Sequence, residues 1–412
     1  MRVEILTIGD ELLLGYTIDT NGAHIARELA AVGIEIVRRT SVGDDAAEIA
    51  AGVREALDRT GAVITTGGLG PTSDDMTRPA IAALFGRAMH EDPALVAMLH
   101  ERFALFAGPM PLSNLVQALV PDGARVLDNR HGSAPGLWLE DERGRWAAML
   151  PGVPREMRGM LADTLLPILR ERAGDAVSVV RSRTLRTTGI GESALAERLG
   201  NLARSVDGLP VASLPGWEGT DLRLTIRGRA AGDADRVLEE AAAKLRERAA
   251  PFLYGEDRDD LAASVLAVCR ARSLRIATAE SCTGGMLGTR ITAVPGSSDV
   301  YVGGVIAYDN HVKCEKLGVP SDLLATNGAV SEPVAAAMAE GACARFGAQV
   351  GIGITGVAGP GGGTPEKPVG LVWIAARVDD DIRTIGRNYV GDREEIRRRA
   401  CQAALDLVRR SL

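Results

Sequence analysis

The sequence predicts an α/β protein in which a small α+β module separates two α/β domains. The first 90 residues alternate strands with helices, a pattern typical of a parallel sheet with helices on both faces. Between residues 176 and 255 the order changes to strand, helix, strand, strand, helix, and after residue 257 the α/β alternation returns. Because 412 residues are too many for one ordinary domain, we expect three domains, at 1–172, 173–256 and 257–412.

The first domain is expected to contain a parallel sheet, because its short apolar runs are each followed by a helix with one apolar face. The predicted strands are Val3–Ile8, Ile34–Thr40 and Ala62–Thr66. Gly33 ends the first helix, and Asp44 or Asp45 can cap the second. A further helix is expected near residues 155–171.

The two later domains have different predicted element orders. In the middle module we expect strands at Val177–Arg186, Val211–Leu214 and Leu222–Arg229, with helices at Ser193–Leu202 and Ala234–Ala249. This module is expected to be a spacer or dimer arm, and the charged run Glu256–Asp260 a hinge. The last domain is expected to contain a helix at Leu261–Arg272 and strands at Arg275–Thr278, Val302–Tyr308 and Ala348–Thr355.

Composition narrows the class of protein. A net charge of −7 argues against binding nucleic acid or an anionic membrane, since such binding needs an excess of cations. The five cysteines have no CxxC spacing, which suits reduced thiols and not a disulfide framework or a zinc site. The chain enters a predicted strand at once and has no apolar run of about 18 residues. We therefore expect a cytoplasmic protein.

Lysine is rare: only four of the 47 basic residues are lysine. Arginine keeps its proton in proteins whereas a desolvated lysine can release it, so a lysine in this arginine-rich chain is a candidate proton acceptor. Lys313, Lys316 and Lys367 lie close to the densest motifs of the last domain. Chance placement is the alternative, and the neighbouring motifs favour a role for Lys313.

The last domain has polar residues where two strands end. Ser281 lies in a strand-to-helix turn, beside free backbone amides and the positive end of a helix dipole. A hydroxyl there can form part of a site for an anion or an oxyanion, or it can simply cap the helix. Tyr308 and Lys313 flank the end of a neighbouring strand, the edge at which open α/β sheets bind ligands. A neutral lysine can take a proton from serine, and a tyrosine can pass it to a leaving amine. His311 is the rival base.

A glycine-rich loop follows the third strand of this domain. Residues 351–356 match GxGxxG, but no helix is expected after them, so a dinucleotide site is not predicted. The loop Gly356–Gly363 more plausibly lets backbone amides approach a phosphate. Lys367 and the run Arg397–Arg399 could supply the counter-charge, although arginines on a helix surface are common in this chain.

The first domain has a similar pair of strand ends. Glycines and carboxylates follow its first and third predicted strands, in Gly9–Gly15 and Gly67–Thr77. Glycines let a phosphate reach backbone amides, and carboxylates can hold a hard divalent cation. Capping of the following helix is the alternative role for Asp74 and Asp75.

These motifs together resemble the competence/damage-inducible CinA family. In the last domain they are Ala279–Gly285, Tyr308-x-Asn310-x-x-Lys313, Gly328–Pro333, Thr355–Pro360 and Glu366–Gly370. In the first domain, which resembles the molybdopterin-binding fold, they are Gly9–Gly15, Gly67–Thr77, Asn129–Gly136 and Leu150–Met157. The resemblance implies a C-terminal domain that hydrolyses nicotinamide mononucleotide to nicotinate mononucleotide and ammonia. It also implies an N-terminal domain that cleaves the pyrophosphate of ADP-ribose with a metal ion.

The resemblance also implies roles for individual residues. Ser281 would be the nucleophile, Lys313 the general base and Tyr308 its partner in proton transfer. The C-terminal substrate pocket would be lined by Thr283, Gly284, Asn310, Ser331, Thr355, Gly356, Gly359, Gly361, Lys367 and Arg398. The N-terminal nucleotide would be bound by Gly9, Gly67, Gly68, Gly70, Thr72 and Asp75, and its divalent metal ion by Asp10, Glu11 and Asp74. No cofactor is implied for the deamidase.

Two other interpretations of the chain stay open at this point. The N-terminal domain could bind a pterin or nucleotide without catalysis, because the same fold occurs in such binders. The whole chain could instead be an adaptor in competence or DNA damage, although its acidic charge counts against this.

Sequence leaves open whether Ser281 or Cys282 faces the pocket. We expect a homodimer.

Overall fold

The computed structural model describes residues 1–104, 110–174 and 179–412, which form two compact units. The first contains Met1–Arg181 and Ile226–Arg236, and the second contains Ser182–Thr225 and Val237–Leu412. Both combine helices with sheets, so the predicted α/β class is confirmed. Within the described residues, no helix has the length and apolar character needed to cross a membrane.

The N-terminal domain is built on a six-stranded sheet with helices packed against it. Its strands are β1 (Arg2–Ile8), β2 (Glu35–Val42), β3 (Ala62–Thr66), β6 (Arg125–Leu127), β7 (Gly136–Glu140) and β8 (Trp146–Leu150), beside a separate pair, β4 (Met89–Glu91) and β5 (Leu119–Pro121). Its helices are α1 (Asp10–Leu13), α2 (Thr20–Ala31), α3 (Ala46–Thr60), α4 (Thr77–Leu84), α5 (Pro93–Ala104), α6 (Pro154–Met160) and α7 (Leu166–Ala173). A 3₁₀ segment spans Leu112–Ala118, and a π-helical turn, Leu161–Leu165, joins α6 to α7.

The order of this sheet is β2-β1-β3-β8-β7-β6. The first four strands are parallel, but β7 runs antiparallel to both of its neighbours. The predicted parallel sheet is therefore confirmed for β2, β1, β3 and β8, whereas β7 runs against them and was not predicted. Residues 141–145 connect β7 to β8, and a parallel pair would need a crossover of about a dozen residues or more. The carboxyl ends of the four parallel strands meet at one edge.

The α+β module forms a second sheet, of order β10-β11-β12-β9-β13. Its elements are β9 (Val179–Thr187), α8 (Glu192–Leu199), a 3₁₀ turn (Gly200–Ala203), β10 (Ser205–Val206), β11 (Leu209–Pro215), β12 (Thr220–Arg229), α9 (Ala231–Ala249) and β13 (Leu253–Glu256). Residues 177 and 178, the first two of a predicted strand, lie outside the described residues. Strands β10 and β13 were not predicted. Glu256 lies in β13 and pairs with Arg183 and Arg246, so the run from Glu256 begins inside the sheet and is not a free hinge.

The C-terminal domain contains a five-stranded sheet of order β15-β14-β16-β17-β18. Its strands are β14 (Ile276–Glu280), β15 (Tyr301–Ile306), β16 (Val350–Gly356), β17 (Leu371–Val378) and β18 (Asp381–Asn388). Its helices are α10 (Leu261–Ala271), α11 (Met286–Thr292), α12 (Asn310–Leu317), α13 (Ser321–Asn327), α14 (Glu332–Phe346) and α15 (Arg393–Ser411), with a 3₁₀ turn at Ser297–Asp299. Strand β14 is parallel to both of its neighbours, so β15, β14 and β16 end at one edge.

Candidate functional site

Ser281 lies at the end of the central strand of the C-terminal sheet. Its side chain is buried, and its backbone amide donates to the carbonyl of Ile354 (2.9 Å) at the end of β16. Strand β15 ends on the other side, beside Tyr308 and Lys313. The topology therefore brings three motifs that are far apart in the sequence to one edge of the sheet.

The backbone amides at the start of α11 donate hydrogen bonds to Glu280 and not to Ser281. This carboxylate is 2% exposed and accepts hydrogen bonds from the amides of Gly285, Leu287 (both 3.0 Å) and Gly288 (2.8 Å). Three amide donors satisfy its charge inside the fold. The capping role considered for Ser281 is thus filled by its neighbour.

Cys282 follows Ser281 but is poorly suited to be a nucleophile. Burial raises the pKa of its thiol to about 12, so the thiol stays protonated near neutral pH. The thiolate is the reactive form of cysteine, and burial in apolar surroundings makes a cysteine inert. This electrostatic difference favours the serine hydroxyl. No described backbone carbonyl accepts from the amides of Cys282 and Thr283.

Lys313 is buried in the first helix after β15, with a side chain only 1% exposed. Its ammonium group has two long contacts, to the carbonyl of Tyr308 and to Oδ1 of Asn310, both 3.4 Å. Burial lowers the pKa of Lys313, and nearby Asp309 and the Cys282 thiol oppose that shift only in part. A lysine in this environment is shifted toward the neutral form that can accept a proton.

Tyr308 is close to Lys313 in sequence, but its ring extends toward the solvent. The residue is 61% exposed, and its hydroxyl oxygen accepts a hydrogen bond from Arg393 (2.9 Å). The same guanidinium donates to the carbonyl of Gly359 (2.6 Å) and so connects Tyr308 to the glycine-rich loop. The rival base His311 is exposed and pairs with Glu315.

The remaining predicted pocket residues differ in their burial and in what their polar groups contact. Ser331, Thr355 and Lys367 come together, but their polar groups hold the backbone of residues 327–329: the Ser331 hydroxyl donates to Gly328 O (2.9 Å), the Thr355 hydroxyl to Ala329 O (2.7 Å) and Lys367 Nζ to Asn327 O (2.6 Å). Thr283, by contrast, is fully buried, and no described residue partners its hydroxyl. Gly284 and Gly361 are exposed, whereas Gly356 is half-buried at the end of β16.

The run Arg397–Arg399 does not act as one cluster. Arg397 donates to the carbonyl of Thr283 through Nε (3.3 Å) and a terminal nitrogen (2.6 Å), and so holds the serine turn. Arg398 instead pairs with Glu394 and lies over the ring of Trp217, 5.9 Å from its centroid. Arg398 therefore faces Glu394 and Trp217 and not the serine turn, because successive helical residues point in different directions, and its role in the substrate pocket stays a prediction. Arg393 and Arg397 are the residues of this helix that reach the site.

The N-terminal edge is shaped by glycines that allow close backbone approach. Gly67 has a φ of +114°, and a Cβ there would lie 2.1 Å from the carbonyl oxygen of Ile8. A Cβ on Gly70 would lie 2.5 Å from Asp75. Asp75 accepts from both the amide (2.8 Å) and the hydroxyl (2.5 Å) of Thr72, which closes the turn. The capping role considered for Asp75 is not seen, since no side chain caps α4.

A cavity of about 230 Å³ lies at this edge. Its wall includes Glu11, Asp19 and Asn21 after β1, and Gly152 after β8. The amide nitrogen of Asn21 donates to Gly152 O (2.7 Å), while its carbonyl oxygen is buried with no partner among the described residues. Asn21 was not among the residues predicted to bind the N-terminal nucleotide.

Carboxylates gather at the same edge without forming a closed metal site. The amide of Asp10 donates to Asp44 Oδ2 (2.9 Å), and the amide of Asp44 donates to Asp10 Oδ1 (3.2 Å). Burial raises the pKa of Asp44, and the charges of Asp10, Glu11 and Asp74 raise it further. In the described part of the chain no three His, Cys, Asp or Glu side chains are grouped as a metal site. A cation here would therefore need further oxygen ligands, from water or from a substrate.

Three contributors to the two edges were not predicted as site residues: Glu280, Arg393 and Asp44. Arg397 was predicted only as part of a run that could supply counter-charge to a phosphate. Glu280 directly precedes Ser281, and a carboxylate just before a helix start is a recognisable anchor for helix amides. Asp44 had been considered only as a helix cap, a role that belongs to Asp45. Arg393 acts across 85 positions of sequence, and nothing local distinguishes it from the other arginines.

Three family models match successive parts of the chain. The probable molybdopterin binding domain matches residues 4–171, the damage-inducible protein CinA KH domain residues 182–255, and the CinA C-terminal domain residues 258–412. Among curated proteins, a CinA-like protein of Gemmatimonas aurantiaca is 63% identical over the whole of this chain and 96% of its own length. A CinA-like protein of Synechococcus sp. strain CC9902 is 48% identical over 90% of this chain and 88% of its own. A crystal structure titled competence/damage inducible protein CihA from Agrobacterium tumefaciens is 39% identical, with a TM-score of 0.36, and covers 37% of this chain and 94% of its own.

The fold and its two edges define a class of protein in which a molybdopterin-binding-like α/β domain precedes a KH-type module and an α/β domain with a serine turn. The chain belongs to the CinA family. The resemblance predicted from its motifs is confirmed, and the module is additionally identified as KH-type.

Proposed function

We propose that the C-terminal domain is a serine amidohydrolase that converts nicotinamide mononucleotide to nicotinate mononucleotide and ammonia. The observation that carries this proposal is a buried lysine of lowered pKa at the same sheet edge as a buried serine. A serine hydroxyl is a weak nucleophile until a base takes its proton. Lys313 is the buried amine at this edge that could do so.

In this mechanism the Ser281 oxygen attacks the carboxamide carbon while Lys313 takes the hydroxyl proton. Backbone amides of the turn after Ser281 would stabilise the oxyanion, because those of Cys282 and Thr283 bind no described backbone carbonyl. Collapse breaks the carbon–nitrogen bond, and the nitrogen leaves as ammonia with the proton returned through Lys313 and Tyr308. Water then hydrolyses the acyl-serine ester to the carboxylate and frees Ser281.

The experiment that tests this proposal is ammonia release from nicotinamide mononucleotide with excess EDTA. Wild type, Ser281→Ala and Cys282→Ala are compared, with circular dichroism as the check on folding. We expect release by wild type and Cys282→Ala, and a loss of at least about 10³-fold for Ser281→Ala. Loss in Cys282→Ala with activity kept in Ser281→Ala would make the thiol the nucleophile. A folded wild type that releases no ammonia would remove the proposed function.

For the N-terminal domain we propose a metal-assisted pyrophosphatase that cleaves ADP-ribose to AMP and ribose 5-phosphate. One or two of Asp10, Glu11 and Asp74 would hold a divalent cation together with oxygens of the substrate. The pKa of Asp44, raised first by burial and further by the charges of Asp10, Glu11 and Asp74, supports this choice because a cation would offset that negative charge. When bound, the cation would neutralise charge on the pyrophosphate oxygens. Magnesium commonly uses one or two carboxylates plus substrate phosphates, which fits an open set of ligands.

The alternative for this domain is a binding module without catalysis, as the name of its family model allows. Incubation of the full chain with ADP-ribose and Mg²⁺ or Mn²⁺ separates the two. Turnover to AMP supports the pyrophosphatase, whereas saturable binding without AMP supports the binder. The variant Ser281→Ala should turn over ADP-ribose like wild type, because the change lies in the other domain.

An adaptor role in competence or DNA damage stays a second candidate, favoured by the KH name of the module model and by the titles of related structures. The net charge of −7 argues against it. Electrophoretic mobility of single- and double-stranded DNA at low salt is the relevant measurement. We expect no shift, and a salt-sensitive complex would revive the adaptor role.

A further inference from the structure

A second cavity, of about 450 Å³, lies within the second unit and is separate from both sheet edges. The KH-type module contributes the loop Thr188–Glu192 and the turn Pro215–Thr220, and the C-terminal domain contributes β18 and α15. Apart from Arg399, which belongs to the arginine run considered above as a counter-charge, none of the residues proposed for the two activities lines it. Its volume falls in the range of small-molecule sites, roughly 300–1,000 Å³.

The cavity carries positive charge that the protein does not neutralise. Arg387 on β18 and Arg399 on α15 both line it, and neither pairs with a described carboxylate. Arg399 is half-buried, and its Nε has no hydrogen-bond partner among the described residues. Guanidinium groups left unpaired in a concave wall favour an anionic ligand, above all a phosphate.

The carboxylates of the wall do not cancel this charge. Glu218 pairs with Arg186, and Asp406 pairs with Arg410. Glu192 is exposed, at the first residue of α8. The two unpaired arginines therefore dominate the side of the cavity that β18 and α15 form.

The wall also offers a buried amide and an aromatic surface. Gln402 is 3% exposed, and its nitrogen donates to the hydroxyl of Thr188 (3.1 Å), which fixes the direction of the amide. Its carbonyl oxygen has no partner among the described residues, nor has the hydroxyl of Tyr389. Trp217 lines the cavity as well, with the guanidinium groups of Arg290 and Arg398 at 5.2 and 5.9 Å from its ring centroid, so a ligand would contact the part of the ring that they leave free. An orphaned buried acceptor calls for a donor from a ligand, and a planar ring can stack on an aromatic wall.

We propose that this cavity is a binding site for a mononucleotide whose base carries an exocyclic amine, as AMP does. The phosphate would bind Arg387 and Arg399, and the amine would donate to Gln402. The base would pack beside Trp217 and Tyr389. This proposal is independent of the deamidase activity, because it concerns binding to residues outside that site.

The test is a titration of tryptophan fluorescence in the full chain with AMP. Trp217 is one of four tryptophans, so Trp217→Phe identifies the source of the signal. We expect a saturable change in wild type, its loss in Trp217→Phe, and a midpoint raised about tenfold or more in the double variant Arg387→Gln/Arg399→Gln. The single variant Arg387→Gln, at an exposed position, should shift in the same direction. Arg345→Gln, an exposed arginine on α14 outside the cavity, is the charge-matched control and should behave like wild type.

Three results would overturn the proposal. They are an unchanged midpoint in the double variant, a signal kept by Trp217→Phe, and no saturable change up to about 10 mM AMP. The first two would assign the binding to another part of the chain, such as the N-terminal edge. Adenosine and inorganic phosphate are titrated separately. Each should bind more weakly than AMP, and phosphate binding as tightly as AMP would remove the role of the base.

Discussion

The two α/β domains both bring polar residues to the carboxyl ends of parallel strands, but charged side chains are buried at one edge and exposed at the other. At the C-terminal edge Glu280 is 2% and Lys313 1% exposed, each inside the fold. At the N-terminal edge Asp10, Glu11 and Asp74 are exposed. Burial shifts a lysine toward the neutral base that amide hydrolysis needs, whereas exposed carboxylates keep the negative charge that attracts a cation. In the two proposed functions, one topology would therefore serve two chemistries that differ in the burial of the charged side chains.

The substitution with the largest expected effect tests Lys313 as the buried base. Lys313→Arg keeps the positive charge but removes the proton acceptor, so we expect ammonia release to fall about 10³-fold. The control is Lys316→Arg, an exposed lysine three residues later that pairs with Glu315. Steady-state assays with nicotinamide mononucleotide measure both. An active Lys313→Arg enzyme would mean that Lys313 only binds the substrate.

The pH dependence of ammonia release by the wild-type protein also tests Lys313 as the base. Because burial lowers the pKa of Lys313, the neutral base becomes populated below the ordinary titration range of lysine. We expect kcat/KM for ammonia release to rise with pH through that lowered pKa, as for a base that must be deprotonated in the free enzyme. A value of kcat/KM that does not rise with pH anywhere below the ordinary pKa of lysine, about 10.4, would contradict a lysine base.

The next effect tests the exposed carboxylates. Asp10→Asn removes one charge from the N-terminal edge, and we expect AMP formation from ADP-ribose to fall about 10- to 100-fold at limiting Mg²⁺. Part of the loss should be recovered at high Mg²⁺, because the change weakens cation binding. Glu101→Gln, an exposed carboxylate on α5, is the control. Ammonia release should be unaffected in both variants, and a matching loss there would point to misfolding.

A third, smaller effect tests the carboxylate that holds the serine turn. Glu280→Gln replaces one acceptor oxygen by a donor that faces backbone amides, so we expect the free energy of unfolding to fall by about 2 kcal/mol. Chemical denaturation measures it. Glu332→Gln, an exposed carboxylate at the start of α14, is the comparison and should change stability far less. Equal stability of the Glu280→Gln and wild-type proteins would show that other contacts fix the turn.

The sequence was sufficient to predict elements whose signals are local. The strand Ala62–Thr66 was predicted at its observed bounds, since five apolar or β-branched residues stand between a helix and a glycine pair. The convergence of Ser281 with Lys313 was predictable because strands that end in polar motifs share an edge in parallel sheets. The antiparallel strand β7 was missed, as its pairing depends on the short connection to β8.

Contacts between distant segments escaped prediction for a different reason. Arg393 and Arg398 look equivalent in an arginine-rich helix, and only the folded chain shows that the first reaches Tyr308 while the second lies over Trp217. The cavity beside Arg399 likewise needs two domains to close it. Such sites depend on which helix face meets which neighbour, a property that sequence spacing constrains only in part.

The substitution with the smallest expected effect tests whether the buried Lys313 destabilises the fold. Because the folded-state pKa of Lys313 is lowered, the unfolded chain binds more protons between that pKa and the ordinary lysine value. Stability therefore rises with pH across this window and is constant, at its lower value, below it. Lys313→Met removes the ammonium and should raise the free energy of unfolding at pH 7 by about 0.5–2 kcal/mol while abolishing ammonia release. The gain should shrink above the ordinary pKa of lysine. Lys316→Met, at an exposed position, should show no such gain, and equal stability changes at 313 and 316 would break the contrast between a buried and an exposed site.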